Sequence, residues 1–109
     1  MSGDTLKYRP YRTSDDVMAE GDIRRCTLGH GELEETFYVV VMSFTPDIAK
    51  VKRLHKEDEQ GSRYLIKDLA PTGLEYSMFV DSRAVRIPRQ AIGNRIGRIS
   101  KTEIRKIKL

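Results

Sequence analysis

Between residues 21 and 99 the chain alternates short apolar runs with clusters of turn-forming residues, a rhythm of strands rather than of helices. The pattern predicts strands over residues 22–28, 36–43, 48–55, 63–69, 77–81 and 84–87. The second is the most strongly marked. Thr36-Phe37-Tyr38-Val39-Val40-Val41-Met42 is dominated by β-branched and aromatic residues without a polar alternation, as a strand covered on both faces requires. Gly29-His30-Gly31 and Pro71-Thr72-Gly73 break the chain between strands, and Gly93 and Gly97 read as the limits of a short irregular piece.

Helical features are confined to the end. Ser100-Lys101-Thr102-Glu103 matches a capping box, in which the Ser hydroxyl accepts the third backbone N–H and the Glu carboxylate reaches back to the cap. Ile104 and Ile107 then fall on one face, and Arg105, Lys106 and Lys108 crowd the last turn, where cations oppose the negative end of the helix dipole. So short a helix needs a surface to dock on. The expected fold is mainly β with one short C-terminal α-helix over residues 21–109. Residues 1–20, with Pro10, four acids and no periodicity, read as an extended or disordered arm.

Length and composition narrow the picture. A chain of 109 residues fits one domain with a core of its own. The single Cys26 excludes an internal disulfide, and no apolar run approaches the ~20 residues of a membrane-spanning helix, so a cytoplasmic protein with no membrane partner is expected. The net charge of +4 is unevenly spread. Residues 82–109 hold nine bases and one acid, a local +8, while residues 1–81 hold eleven bases and fifteen acids, a local −4. A basic block of this kind favours a polyanion or an acidic peptide as partner.

Gly21-Asp22-Ile23, Glu32 in the following loop, Phe37 to Ser43 on the second strand and the run from Arg95 to Ser100, in that order, resemble the MazF/PemK toxins of toxin–antitoxin systems, within a superfamily that also contains CcdB-type gyrase poisons. Gly21-Asp22-Ile23 is similar to the opening of strand one in MazF-type toxins, and Arg95-Ile96-Gly97-Arg98-Ile99-Ser100 resembles the Arg-Ile-Gly-Arg-Leu-Ser that precedes their terminal helix. The resemblance covers residues 21–109. It implies an SH3-like barrel of five to seven strands, a homodimer, an acidic antitoxin peptide as partner, and cleavage of single-stranded RNA through the ribose 2′-hydroxyl without metal or cofactor. The family relies on an Arg-Pro at the start of strand two and a Thr or Ser at the end of strand three. Here Phe37-Tyr38 and His55 stand near those positions.

The residues themselves offer a replacement chemistry. Imidazole exchanges a proton near neutral pH, and His55 is flanked by Arg53 and Lys56, cations suited to a phosphate. His30, in the loop after strand one, is a candidate second proton-transfer group. Arg24, Arg25, Arg53 and Arg86 lie on expected strands and Arg83 between two of them, and these five are the candidate phosphate contacts. Alternation places Arg24 and Arg25 on opposite faces. Tyr38, Tyr64 and Phe79 are candidates for stacking on unpaired bases. Two other functions fit the same residues: a protein-binding toxin of the gyrase-poison type, and a non-catalytic module that binds nucleic acid or protein. Neither a metal site, a phosphate-binding glycine loop nor a nucleophilic triad is signalled.

Overall fold

The computed structural model describes residues 17–58, 61 and 63–108, so residues 1–16 of the expected arm lie outside it. Six strands form one antiparallel sheet in the order β4-β5-β3-β2-β1-β6. They are β1 (Asp22–Leu28), β2 (Glu35–Phe44), β3 (Ile48–His55), β4 (Tyr64–Leu65), β5 (Phe79–Pro88) and β6 (Ile92–Arg98). One α-helix among the described residues, α1 (Lys101–Lys108), follows. The fold is therefore mainly β with six strands and a C-terminal helix, within the expected range. The sheet is open: β4 and β6 stand at its edges, so the hydrogen-bond ladder does not close into a barrel. No helix among the described residues is long and apolar enough to cross a membrane.

Both faces of the sheet carry a core. On one, Ile23, Val40, Leu54 and Val80 pack with Ile66, Leu74 and Met78 from the β4–β5 connection and with Ile99 and Ile107 from the terminal segment. On the other, Cys26, Val39, Val41, Ala49, Val51 and Ile87 pack with Met18. Val39, Val40 and Val41 are all fully buried, the two-sided burial that the apolar run of β2 predicts. Met18 belongs to this core, so packed chain begins before residue 21.

Three strands depart from the expected pattern for identifiable reasons. The stretch with Gly93 and Gly97 is strand β6, paired with β1 through Asp22↔Arg98 and Ile23↔Gly97. Glycine suppresses strand propensity, but here it admits another backbone: a Cβ on Gly97 would lie 2.2 Å from the Thr72 carbonyl. The expected strands 77–81 and 84–87 are one strand, β5, with a bulge. Lys52 pairs with Ala84 and Leu54 with Val80, so Asp81, Ser82 and Arg83 together oppose Arg53. The expected strand 63–69 shrinks to Tyr64–Leu65, because the N–H groups of Lys67 and Asp68 donate to the Glu103 carboxylate at 2.6 and 3.2 Å instead of to a ladder.

That last arrangement also corrects the capping box. Ser100 Oγ does accept the Glu103 N–H, at 3.3 Å. The Glu103 carboxylate does not turn back to the cap. It is buried and accepts from Tyr64 Oη at 2.8 Å as well as from the two backbone donors, so it joins α1 to the β4 segment. At the other end of α1, Lys52 Nζ donates to the Ile107 carbonyl. An eight-residue helix has little stability alone, and these two contacts tie its ends to the sheet.

Residues 21–23 and 95–100 meet at a fully buried carboxylate. Asp22 Oδ2 accepts from Arg24 Nε at 3.1 Å, Arg24 Nη2 at 3.0 Å and the Ala19 N–H at 2.9 Å, while Oδ1 accepts from Arg98 Nε at 2.8 Å. Arg24 also donates to the Gly93 carbonyl. Asp22, Arg24, Gly97 and Arg98 therefore hold β1 against β6.

Asp22→Ala removes from the interior the carboxylate that Arg24, Arg98 and the Ala19 N–H share, and is expected to lower unfolding free energy by about 3–5 kcal/mol in urea titrations. A loss under about 1 kcal/mol, the scale of an exposed pair, would remove Asp22 from this role. Burial first, then the Glu103 hydrogen bond and charge, push the Tyr64 hydroxyl up to about 12. A raised value stabilises the fold in full below the unfolded tyrosine range near 10 and is lost as pH climbs to about 12. Urea midpoints measured from pH 9 to 12 are expected to fall more steeply for the native chain than for Tyr64→Phe.

Candidate functional site

The N-terminal end of β2 and the C-terminal end of β3 lie side by side, since the strands are antiparallel. There an open groove of about 380 Å³ gathers Arg25 of β1, Phe37 and Tyr38 of β2, and Arg53, His55 and Lys56 at the end of β3. Tyr76 and Met78, from the segment leading into β5, line it as well, with Thr36 and Leu54. Three of these side chains are cationic and none is acidic. Each cation stands over an aromatic ring: Arg53 over Phe37 at 4.1 Å, Lys56 over Tyr76 at 5.8 Å and Arg25 over Tyr38 at 5.9 Å from the centroid.

The β5 bulge adds a carboxylate. His55 Nε2 lies 3.0 Å from Asp81 Oδ2, with both side chains largely covered. In the tautomer that donates from Nε2 to Asp81, the lone pair on Nδ1 is the proton acceptor. Burial works to raise the Asp81 carboxyl, but the Arg83 backbone N–H, the hydrogen bond and charge of His55 and the nearby Arg63 cation outweigh it, and the net shift is downward. Asp81 thus stays ionised and holds the ring in place.

Arg53 is engaged as well: its Nη2 donates to Glu35 Oε2 at 2.6 Å across an exposed pair. Its Nε is covered and has no hydrogen-bond acceptor among the described residues. Below the groove Cys26 is fully buried, and burial raises its thiol pKa against the opposing charge of Arg53, so it is a core residue.

Of the candidate proton-transfer and phosphate-contact residues, Arg25, Arg53, His55 and Lys56 come together in this groove. The others do not. Arg24 is 4% exposed and bound to Asp22, so its expected phosphate contact is replaced by a structural one. Arg25, its neighbour, is exposed on the opposite face, as alternation requires. His30 is exposed in the β1–β2 connection and does not line the groove. Arg83 is exposed on the bulge, where its backbone serves Asp81. Arg86 is exposed opposite Lys50, toward the other end of β3. Among the stacking candidates, Tyr38 reaches the groove, Tyr64 is committed to Glu103, and Phe79 is half-buried opposite His55 in the ladder. Asp81 and Tyr76 were not among the residues that sequence pattern singles out; the polar Asp81-Ser82-Arg83 interruption between two apolar strand pieces is the one sign of the bulge that positions the first.

Among the described residues, no group of three or more His, Cys, Asp or Glu side chains is placed to hold a metal ion. The chain matches no protein-family model and no curated protein sequence.

Because the Asp81 carboxyl is shifted downward, its contribution to stability is complete above the ordinary aspartate value near 3.9 and is lost as pH falls through the lower folded value. Urea unfolding between pH 2.5 and 5 is expected to show a shallower acid-side decline for Asp81→Asn than for the native chain. Identical slopes would mean that Asp81 gains nothing from His55, Arg63 and the Arg83 N–H.

Proposed function

We infer that the protein binds single-stranded RNA in the β2–β3 groove and cleaves it there without a metal. The observation that carries this reading is the convergence of three cations, three aromatic rings and a carboxylate-held imidazole on one open groove. Cations that track a phosphodiester backbone beside rings on which bases stack are what an unpaired strand requires.

In this reading His55 Nδ1 takes the proton of a ribose 2′-hydroxyl, the 2′-oxygen attacks the adjacent phosphorus, and the P–O5′ bond breaks. The imidazolium returns its proton to the departing 5′-oxygen, leaving a 2′,3′-cyclic phosphate and a 5′-hydroxyl end. Asp81 steadies the imidazolium, while Arg53 and Lys56 carry the charge that develops on the phosphorane. Phe37 and His55, which stand near the positions of the MazF-type catalytic Arg and Thr, both line the groove, and this supports a toxin-like ribonuclease with a rebuilt centre. The toxin proposal adds an acidic partner segment as inhibitor and a homodimer as the active form.

A second reading is binding without cleavage. The pairing of Arg53 with Glu35 and its stacking on Phe37 favour it, since a guanidinium so held serves as a docking group rather than as the cation of a transition state.

Incubation of the protein with long single-stranded RNA in EDTA separates the two. The ribonuclease reading expects fragments with 2′,3′-cyclic phosphate ends, lost in His55→Ala while RNA binding persists. Arg53→Ala and Lys56→Ala are expected each to weaken binding and to lower the slope of log affinity against log salt by about one. Undiminished cleavage by His55→Ala would end the proposed chemistry; uncut RNA bound with a steep salt dependence would establish the second reading instead.

A further inference from the structure

A second cavity, of about 350 Å³, lies on the other side of Arg25. Arg25 lines both, and Thr27 of the second faces Thr36 of the first across the β1–β2 ladder, the two hydroxyls 3.1 Å apart. The two cavities are therefore consecutive along a path that crosses β3, β2, β1 and β6. Three inter-strand spacings separate β3 from β6, about 14 Å. A single strand lying across the sheet runs from one cavity into the next with Arg25 at the crossing.

The chemistry changes along that path. The first cavity is cationic and aromatic. The second, apart from Arg25, has no charged side chain in its lining: Gln90 and Asn94 bring exposed carboxamides, Ile92 and Ile96 an apolar wall, and Gly93 a bare stretch of backbone. A carboxamide presents a donor and an acceptor side by side, the arrangement that pairs with a base edge, and an apolar wall takes the face of a base. Such a lining is poorly matched to a phosphate and well matched to a nucleobase.

We propose that this second cavity is a base-reading subsite, in which Asn94 and Gln90 select the nucleotide adjacent to the phosphate held by Arg25. The proposal rests on the single-stranded RNA reading of the β2–β3 groove. It assigns affinity to Arg25, Arg53 and Lys56, and base preference to the two carboxamides.

Fluorescence anisotropy with 2′-O-methyl 12-mers of A, C and U, which the 2′-hydroxyl chemistry does not cut, tests it. The native chain is expected to favour one of the three by about fivefold or more, and the Gln90→Ala/Asn94→Ala double variant to bind all three within about twofold. Lys56→Ala is expected to weaken all three and leave their ratios unchanged. Both carboxamides are solvent-exposed, and matching urea midpoints of native and double variant verify that folding is unaffected. Equal affinities in the native chain, or a preference that survives the double substitution, overturn the subsite while leaving RNA binding intact. Absence of binding to all three oligomers overturns the groove reading itself, and the subsite with it.

Discussion

A carboxylate with no exposure to water needs its charge answered, and Asp22 is answered by Arg24, Arg98 and the Ala19 N–H together. That requirement organises a large part of the molecule. It fixes β1 against β6, so an edge strand weakened by two glycines still has a defined place. It brings the chain before β1 and the chain before α1 together, where the Gly21 carbonyl accepts the Ile99 N–H at 2.9 Å and a Cβ on Gly21 would collide with Ile104. It also acts on the site. Because Arg24 is drawn to Asp22 on one face of β1, Arg25 is committed to the other, where it stands over Tyr38 and lines both cavities. The orientation of a groove cation is thus set by a buried ion pair one residue away.

The distribution of charge takes on a different meaning once the partners are known. The basic C-terminal block supplies Arg98 to Asp22, Lys108 to Glu20 and Arg89 to the Thr45 carbonyl, so part of its +8 is spent on joining the terminal segment to the rest of the chain. The groove cations, Arg25, Arg53 and Lys56, all come from the net-acidic first 81 residues. Local charge density along a sequence is a guide to partners only where the side chains are not already matched within the fold. The aromatic rings beneath the groove cations reinforce this: a guanidinium or ammonium laid on a ring is held at the surface in an orientation that a solvated chain would not keep.

The strands that sequence pattern locates well, 22–28 and 48–55, are those whose periodicity and turn boundaries agree. Those it misplaces depend on distant residues. The 63–69 segment has strand composition, but Glu103, 36 and 35 positions after Lys67 and Asp68, captures their N–H groups. β6 looks irregular because the reason for its glycines, the approach of the Thr72 and Arg25 backbones, is tertiary. The site divides the same way. His55, Arg53 and Lys56 are legible because they are adjacent in sequence and carry the right chemistry. Asp81 is not, since its reach to His55 depends on three residues of β5 opposing one of β3.

The two ion pairs at the groove differ in a way that bears on how a phosphate would be received. His55 and Asp81 are both about three-quarters covered, while in the Arg53–Glu35 pair the carboxylate is 57% exposed. Exposed pairs contribute little, about 0–1 kcal/mol, because water and salt screen them. A phosphate offers the same guanidinium a bidentate, charge-assisted contact in place of the single bond from Nη2 to Glu35. Exchange of Glu35 for phosphate is therefore inexpensive, whereas loss of Asp81 would leave the His55 ring without its fixed partner. The groove combines one pair that yields to a ligand with one that persists, and the persistent one holds the group assigned the proton transfer.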